Sequence, residues 1–516
     1  MWRRNAWALP VALAILVGAS TLDGEFVGDD GRALLDNPVV NGALPANAVL
    51  THDFWGESLD GPNAVSFRPA TSLLWRAVWS LAHEQPFPFR ALGLVLHAVA
   101  VFFAWRWLGA LGTPLRARVI AASLLAAHAV NSETTGAIVS HADLGAAALG
   151  FAALDVLARR RGIAASCLGG LLLLFAGFMK ESAVLFGILG AVTAYTSGLR
   201  GRQLTLRGLV LGLPVLLVIA AQLSYTRSAD LARAEWSLGN VAHGFDRVLL
   251  GLHFLARALG LTVLPVGIAP SHGYAAMELD PGALAPLAAA GALLLAAGVV
   301  AGIVALRAHD TVMATALMLL FGPVLLVTHL VIPIITDLPE RVLYPATLGA
   351  GLLLGLALER AYPRLGSART LGIAALFLTV QLGLGHAPRR AWTDRYALWI
   401  RAYEVEPRVV RHELNIAWVL MEHGRFEEAW WHELVGQRLK RTFPNPVDWD
   451  EYDAIAALGP ERAFREGARR LEPDPRRMCA LVIASLEHVQ RQNAAMTQHV
   501  LRELRPSLPE CEATDR

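Results

Sequence analysis

The chain has 516 residues, of which 55% are hydrophobic and only 17% are charged, and its mean hydropathy is +0.44. These values exclude an ordinary soluble protein of this size and indicate an integral membrane protein. The formal net charge of +2 is close to neutral and argues against a nucleic-acid partner.

Apolar runs along the chain predict an all-α, polytopic membrane protein, because only helices satisfy the backbone of such runs within lipid. The first run, residues 7–22, follows Arg3 and Arg4, and we interpret it as a retained anchor. A cleaved signal peptide is the alternative, because Val17-Gly18-Ala19 has the small residues that a signal peptidase prefers. Further spans are predicted at 89–108, 119–134, 144–157, 165–178, 183–195, 208–224, 283–305, 311–332, 343–358 and 371–384.

The arginine-rich loops between these runs set the predicted orientation, because Lys and Arg in short loops stay on the cytoplasmic side. This rule places the N-terminus in the cytoplasm and the C-terminus on the opposite side of the membrane. If the source is bacterial, the membrane is the inner membrane and the C-terminal domain is periplasmic. The apolar segment 241–265 would break the alternation as a single crossing, so we interpret it as a re-entrant or interfacial helix. About eleven spans result, within a membrane domain of residues 1–388.

Two segments are predicted outside the membrane. The loop 23–88 contains an amphipathic, Trp-rich stretch, 69–81, of the kind that lies along a membrane interface. Residues 389–516 have a soluble helical pattern, and the small residues Ala417, Gly424 and Ala429 have the spacing of a tetratricopeptide-like (TPR-like) hairpin. Cys479 and Cys511 could pair in this domain if it faces an oxidising compartment.

The acidic pair Asp29-Asp30, just after the first span, is the first candidate for catalysis. Repulsion between adjacent carboxylates would raise the pKa of one of them and suit it to act as a base. The alternative is that Asp30 only caps a short helix beginning at Gly31.

A second polar cluster lies at the extracytoplasmic ends of the third and fourth spans, where ionisable groups usually line a cavity. Satisfied helix caps are the alternative. The residues of this cluster that are candidates for an acceptor or sugar site are His128, Asn131, Glu133, His141 and Asp143. His128 and His141 lack a convincing metal-ligand spacing, and no Cys/His metal site appears.

Cations near the outer face are candidates for binding a lipid phosphate. Lys180 interrupts an apolar stretch with Glu181 beside it to hold it in place, Arg341 can clamp a phosphate in bidentate fashion, and His329 could assist. Snorkelling of the lysine is the alternative. No Gly-rich phosphate loop or nucleophile elbow appears, so we expect a lipid donor, not a nucleotide.

Together these motifs resemble a known family. The sequences Phe26-Val27-Gly28-Asp29-Asp30, Phe67-Arg68-Pro69, Lys180-Glu181 and Glu340-Arg341-Val342-Leu343-Tyr344 occur in the order seen in the transmembrane-and-tetratricopeptide-repeat (TMTC) protein O-mannosyltransferases. The resemblance implies a GT-C glycosyltransferase that uses a polyprenyl-phosphate sugar on the non-cytoplasmic side and inverts the anomeric centre. By position Asp29 would be the base, with Asp30 supporting it.

The chain departs from the family at His128-Ala129-Val130-Asn131-Ser132-Glu133 and at Ser140-His141-Ala142-Asp143, and its repeat region is shorter than in animal members. The implied function is transfer of a monosaccharide, mannose by resemblance, to a hydroxyl of a protein or another acceptor, which the TPR-like hairpins could engage. No obligatory metal or cofactor is expected. The alternatives are a non-enzymatic membrane-anchored scaffold and a lipid-linked-sugar transporter.

Overall fold

The computed structural model describes residues 5–61, 64, 66–160, 162–225, 242–270, 272–273, 281–331, 338–407, 409–442, 457, 460–504 and 511. Across these residues the secondary structure is helical and contains no β-strand, apart from one isolated bridge between His52 and Ser58. The predicted all-α fold is confirmed.

Thirteen α-helices precede the C-terminal region in the described part of the chain. They are α1 (Ala8–Ala19), α2 (Pro69–Ala82), α3 (Pro86–Ala110), α4 (Leu115–Ala127), α5 (Ser132–Gly136), α6 (His141–Arg159), α7 (Ile163–Met179), α8 (Val184–Thr196), α9 (Gly201–Tyr225), α10 (Gly244–Val263), α11 (Pro281–Arg307), α12 (Thr311–Leu326) and α13 (Tyr344–Ala391). Five of them, α3, α6, α9, α11 and α13, are long and apolar enough to cross a membrane, and α1, α7, α8 and α12 are shorter apolar helices. These helices are those of an integral membrane protein.

The helix boundaries refine the predicted spans. The predicted spans 343–358 and 371–384 form the two halves of α13, which meet at Gly366, a non-helical residue with a φ of +73°. The third predicted span, 119–134, ends early, because α4 stops at Ala127 and His128 is extended. Residues Gly244–Val263 of the predicted segment 241–265 form the continuous helix α10, which packs against α11. Val241 and Ile332, at the edges of two predicted segments, lie outside the described residues.

Small residues let the first half of α13 pack closely against α4. A side chain at Gly355 would meet the backbone of Ala117 within 2.6 Å, and one at Gly351 would meet the backbone of Ala121 at 3.0 Å. Such small-residue contacts are a usual way for helices to associate in a membrane, where apolar side chains gain nothing by leaving lipid. This packing fixes the start of α13, and with it the Glu340–Leu343 turn that precedes it.

The Trp-rich helix predicted at 69–81 is α2, with Pro69 at its first turn. Trp75 and Trp79 are buried, and Trp75 contacts Phe54 with 5.0 Å between the ring centroids. These two indoles pack inside the protein, and the location of the helix along a membrane interface stays a prediction. Leu73 and Leu81 are the exposed large hydrophobic residues of this helix.

The C-terminal region consists of helical pairs. Its described helices are α14 (Arg395–Val405), α15 (Val410–Glu422), α16 (Phe426–Thr442), α17 (Pro460–Leu471), α18 (Pro475–Gln492) and α19 (Ala494–Leu504). Helices α15 and α16 form the predicted hairpin, and Gly424 adopts a φ of +72° at its turn, a conformation that favours glycine. Cys479 and Cys511, whose pairing the sequence left open, form a disulfide.

Candidate active site

The acidic pair lies after α1, in a turn that leads into a short π-helix, Gly31–Leu35. Asp29 is exposed, whereas Asp30 is fully buried. The Asp30 carboxylate accepts hydrogen bonds from the backbone N–H groups of Val27, at 3.0 Å, and Val139, at 3.2 Å. Asp30 makes no side-chain capping bond to its own helix, so the capping alternative is wrong. Instead, Asp30 ties the loop to the turn that precedes α6.

The two aspartates differ in environment. Burial raises the pKa of Asp30 to about 7, and the N–H group of Val27 and the positive charge of Arg90 oppose the rise. The repulsion by Asp29 that the sequence predicted contributes to this higher pKa, but burial is the larger cause. Because both oxygens of Asp30 accept backbone hydrogen bonds, Asp29 is the carboxylate of the pair that is open to a substrate.

A cavity of about 270 Å³ opens beside Asp29. Glu133 and Arg341 line the same cavity, although the sequence separates both residues widely from Asp29. The C-terminal helices supply another part of its wall, including Trp399 and Arg411. The structure therefore brings together one candidate base, one second carboxylate and one candidate phosphate-binding cation.

Glu133 and Arg341 form a salt bridge of 3.2 Å between Oε1 and Nη1. The backbone N–H of Arg341 also donates to Glu133 Oε2 at 3.2 Å, so one carboxylate holds both the main chain and the side chain of this arginine. Glu133 lies on α5, and Arg341 lies in the Glu340–Leu343 turn. A carboxylate that fixes a guanidinium in this way leaves the other guanidinium N–H groups for an anion.

Lys180 and Glu181 do not pair with each other, although the sequence analysis predicted that they would. The Lys180 ammonium donates to Asp143 Oδ1 at 2.6 Å, and both side chains are buried. Glu181 instead accepts two hydrogen bonds from the Arg68 guanidinium, at 2.9 Å and 2.7 Å. The expectation that Glu181 holds the lysine is wrong because Asp143, on the neighbouring helix α6, takes that place.

A second, narrow crevice of about 30 Å³ begins at Arg341. Asp143 and Ser182 lie at its polar part, and apolar side chains of α8 and α12, such as Phe186 and Met318, line the remainder. Arg341 therefore lines both an apolar crevice between membrane helices and the polar cavity that contains Asp29.

Three of the predicted acceptor-site residues line neither of these two spaces. His128 Nδ1 accepts from the N–H of Val130 at 3.2 Å, and its Nε2 donates to the carbonyl of Thr262 at 3.1 Å. Asn131 donates to the carbonyl of Leu125 at 2.9 Å and to Thr347 Oγ1 at 3.2 Å, and His141 Nδ1 accepts from Trp75 Nε1 at 3.1 Å. The structure places these side chains in the interior, where they join helices together.

His329 also lies away from both spaces. It follows α12 with a φ of +57°, and its ring contacts Phe254 at a centroid distance of 5.5 Å. Its carbonyl accepts a hydrogen bond from Arg247 at 2.9 Å. The structure therefore does not bring His329 to Arg341.

A buried ionic network next to the cavity was missed by the sequence analysis. His272 donates to Glu340 Oε1 at 2.8 Å and to Glu406 Oε1 at 2.6 Å, and Arg257 also contacts Glu406. Burial disfavours the charged form of His272, but the two carboxylates outweigh this effect and raise its pKa to about 9. The only sequence signal was Glu340, which adjoins Arg341, because the partners come from distant segments.

Arg90 is a second residue that the sequence analysis missed. It is buried at the start of α3 and donates to the carbonyls of Gly136, at 3.1 Å, and Trp392, at 2.8 Å, and also to that of Glu25. An arginine near the end of a predicted span was the available signal. These bonds join the acidic loop, the turn after α5 and the end of α13.

No metal site is evident in the described ranges, where no three His, Cys, Asp or Glu side chains are grouped to hold an ion.

Fold and site together define an all-α protein with membrane-length apolar helices and a charged cavity at the junction with its C-terminal helices. Part of the chain is similar to curated protein O-mannosyl-transferases. The protein F38B6.6 of Caenorhabditis elegans is 28% identical over 183 residues, 34% of this chain and 26% of that protein. Tmtc1 of Drosophila melanogaster is 37% identical over 138 residues, 26% of this chain and 16% of that protein. Human TMTC1 is 32% identical over 180 residues, 33% of this chain and 20% of that protein.

These matches confirm the resemblance to the TMTC family over about a third of the chain. The matched region spans only about a quarter or less of the length of these curated relatives. No protein-family model and no solved structure matches the chain.

Proposed function

We propose that this chain is an inverting glycosyltransferase that moves a monosaccharide, mannose by resemblance, from a polyprenyl-phosphate carrier to a hydroxyl of a protein. The observation that carries the proposal is that Asp29, Glu133 and Arg341 line one cavity. The similarity to relatives named protein O-mannosyl-transferases supports the same class of reaction. Its donor, sugar and acceptor are inferred from the resemblance and from the chemistry of this cavity.

In the proposed reaction Asp29 is the general base. The acceptor hydroxyl oxygen attacks the anomeric carbon while its proton passes to the Asp29 carboxylate. The bond between the anomeric carbon and the phosphate oxygen breaks, and the polyprenyl phosphate departs with that electron pair. Asp30 acts as a positioning residue, because its hydrogen bonds to Val27 and Val139 hold the turn that presents Asp29.

Arg341 is the proposed ligand of the departing phosphate. Charge that develops on the phosphate is stabilised by a cation that is already oriented, and the salt bridge to Glu133 orients Arg341. The apolar side chains that line the crevice between α8 and α12 suit contact with the polyprenyl chain next to Arg341. Lys180 adds a buried positive charge behind Asp143, and Glu181 acts indirectly through Arg68.

The proposal places the cavity and residues 389–516 on the extracytoplasmic side. The arginine distribution of the predicted loops supports this orientation. The disulfide between Cys479 and Cys511 supports it as well, because such bonds persist in oxidising compartments. On this side the donor sugar would be available on its lipid carrier, with no need for a nucleotide sugar.

Transfer by the purified full chain tests the proposal. The protein is reconstituted into liposomes with polyprenyl-phosphate mannose and a pool of Ser- and Thr-containing peptides, and the products are analysed by mass spectrometry. Asp29→Asn removes the base, and we expect transfer to fall at least about 100-fold while folding is retained. Asp36→Asn is the matched control, because Asp36 is an exposed aspartate of the same loop that does not line the cavity.

Near-normal transfer by Asp29→Asn would refute the assignment of the base. Binding of the lipid-linked sugar without any product from the wild-type protein would refute the enzymatic function. Such a result would favour a transporter or a scaffold.

A further inference from the structure

The wall that the C-terminal helices contribute to the cavity has its own chemistry. Arg411, Asn415 and Trp418 line the cavity from α15, and their spacing of four and then three residues places them on one face of that helix. Trp399, from α14, lines the cavity beside them. None of these four residues came from the sequence analysis of the site.

Arg411 is a cation without a salt-bridge partner in the described part of the chain. It is exposed, and its guanidinium forms no hydrogen bond with the described residues, although its carbonyl accepts one from Asn415. Neighbouring arginines differ in this respect, since Arg395 pairs with Glu422 and Arg425 pairs with Glu428. An unpaired guanidinium at a cavity offers a bidentate site for a carboxylate.

Trp399 provides a second, independent observation. Only 8% of this residue is exposed, and its indole Nε1 has no hydrogen-bond partner among the described residues. A buried donor without an acceptor is unfavourable, and because Trp399 lines the cavity we assign the missing acceptor to a bound ligand. A peptide carbonyl is an acceptor of this kind.

We propose that this wall binds the acceptor, and that the acceptor is an extended peptide with a carboxylate within two residues of the hydroxyl that receives the sugar. Arg411 binds that carboxylate, Trp399 donates to a peptide carbonyl, and Trp418 supplies an apolar surface. The inference rests on the proposed function and names its substrate class. A neutral glycan would leave the charge of Arg411 unmatched, and therefore a peptide is favoured.

The size of the cavity fits this assignment. The cavity has a volume of about 270 Å³. That space admits a short stretch of extended chain, but not a folded acceptor. The remainder of the peptide must lie outside the cavity, along the C-terminal helices.

Paired peptides test the inference with the reconstituted full chain. One peptide has a serine flanked by aspartates, and its partner has asparagines at the same positions. We expect the wild-type KM for the acidic peptide to be about tenfold lower, as one charge-assisted hydrogen-bonded pair would produce. Arg411→Gln should remove this difference between the two KM values, and Arg411→Glu should reverse it by favouring a peptide flanked by lysines.

Arg476→Gln is the matched control, because Arg476 is an exposed arginine of α18 that does not line the cavity. It should keep the wild-type preference. Equal KM values for both peptides with the wild-type protein would overturn the inference, even though transfer itself would uphold the proposed function. Preferred transfer to a neutral oligosaccharide would overturn it as well, and transfer to no acceptor would count against the proposed function instead.

Discussion

The buried network around His272 links the membrane region to the C-terminal helices, and we expect it to make their association depend on pH. His272 bridges Glu340, in the turn before α13, and Glu406, in the segment between α14 and α15. Opening of this junction would expose all three groups to water. His272→Gln removes the positive charge and leaves two buried carboxylates facing a neutral amide.

The free energy with which this network stabilises the closed junction follows from the pKa of His272, which rises from 6.5 to about 9 in the folded protein. Each tenfold change in proton affinity is worth about 1.4 kcal/mol, so the protonated network stabilises the closed junction by about 3 kcal/mol. Because the folded pKa is the higher one, this contribution is fully present below pH 6.5 and is lost as the pH rises through about 9. The junction should open about 100-fold more often at pH 9.5 than at pH 6.5.

Hydrogen–deuterium exchange of the detergent-solubilised protein measures this opening. Protection factors, corrected for the intrinsic dependence of exchange on pH, should fall about 100-fold in α14 and α15 between these pH values. In His272→Gln the protection should already be low at pH 6.5 and should change little with pH. Glu406→Gln should move the midpoint to lower pH, because the histidine then loses one of its two anionic partners.

His386→Gln serves as the control, since His386 is exposed and lies outside the network. It should retain the wild-type response to pH. Protection in α14 and α15 that is independent of pH in the wild-type protein would refute the reasoning, and so would a wild-type pH response in His272→Gln.

Two further predictions concern the acidic pair and the reaction. Asp30→Ala should destabilise the protein by about 2 to 4 kcal/mol at pH 4, because the N–H groups of Val27 and Val139 both lose a buried acceptor. This loss of stability should shrink as the pH rises from about 4 to about 7. Burial raises the pKa of Asp30 to about 7, so ionisation of Asp30 destabilises the wild-type protein over this range. Urea titrations of both proteins at several pH values measure the difference in unfolding free energy. Transfer should be unaffected by EDTA, because cations such as Arg341 can stabilise a monophosphate leaving group; activity that EDTA abolishes and Mg²⁺ or Mn²⁺ restores would contradict this.

The helices themselves were largely predictable from the sequence. Apolar runs must form helices where lipid offers no hydrogen bonds, and so predicted segments such as 89–108 and 283–305 lie within α3 and α11. Turn residues were equally local signals, since Gly424 both marked and forms the turn between α15 and α16. The sequence left the pairing of Cys479 and Cys511 open, because it depended on the compartment, and the structure joins them in a disulfide.

The partners of the charged residues were not predictable in this way. Lys180 has Glu181 beside it in the sequence, but it pairs with Asp143, and Glu181 pairs with Arg68. Each of these contacts joins different helices or loops, so it depends on how the helices pack. Adjacency in sequence gave the wrong partner because neighbouring side chains on a helix or turn point in different directions.

The sequence by itself determined that two carboxylates, Asp29 and Asp30, follow the first apolar run. Only the tertiary structure decided that Asp30 is buried between Val27 and Val139, while Asp29 faces a cavity shared with Glu133 and Arg341. Hydrophobic periodicity and backbone hydrogen bonding are encoded over short stretches. A cavity is formed by segments that are hundreds of residues apart, and its chemistry appears only when those segments have packed.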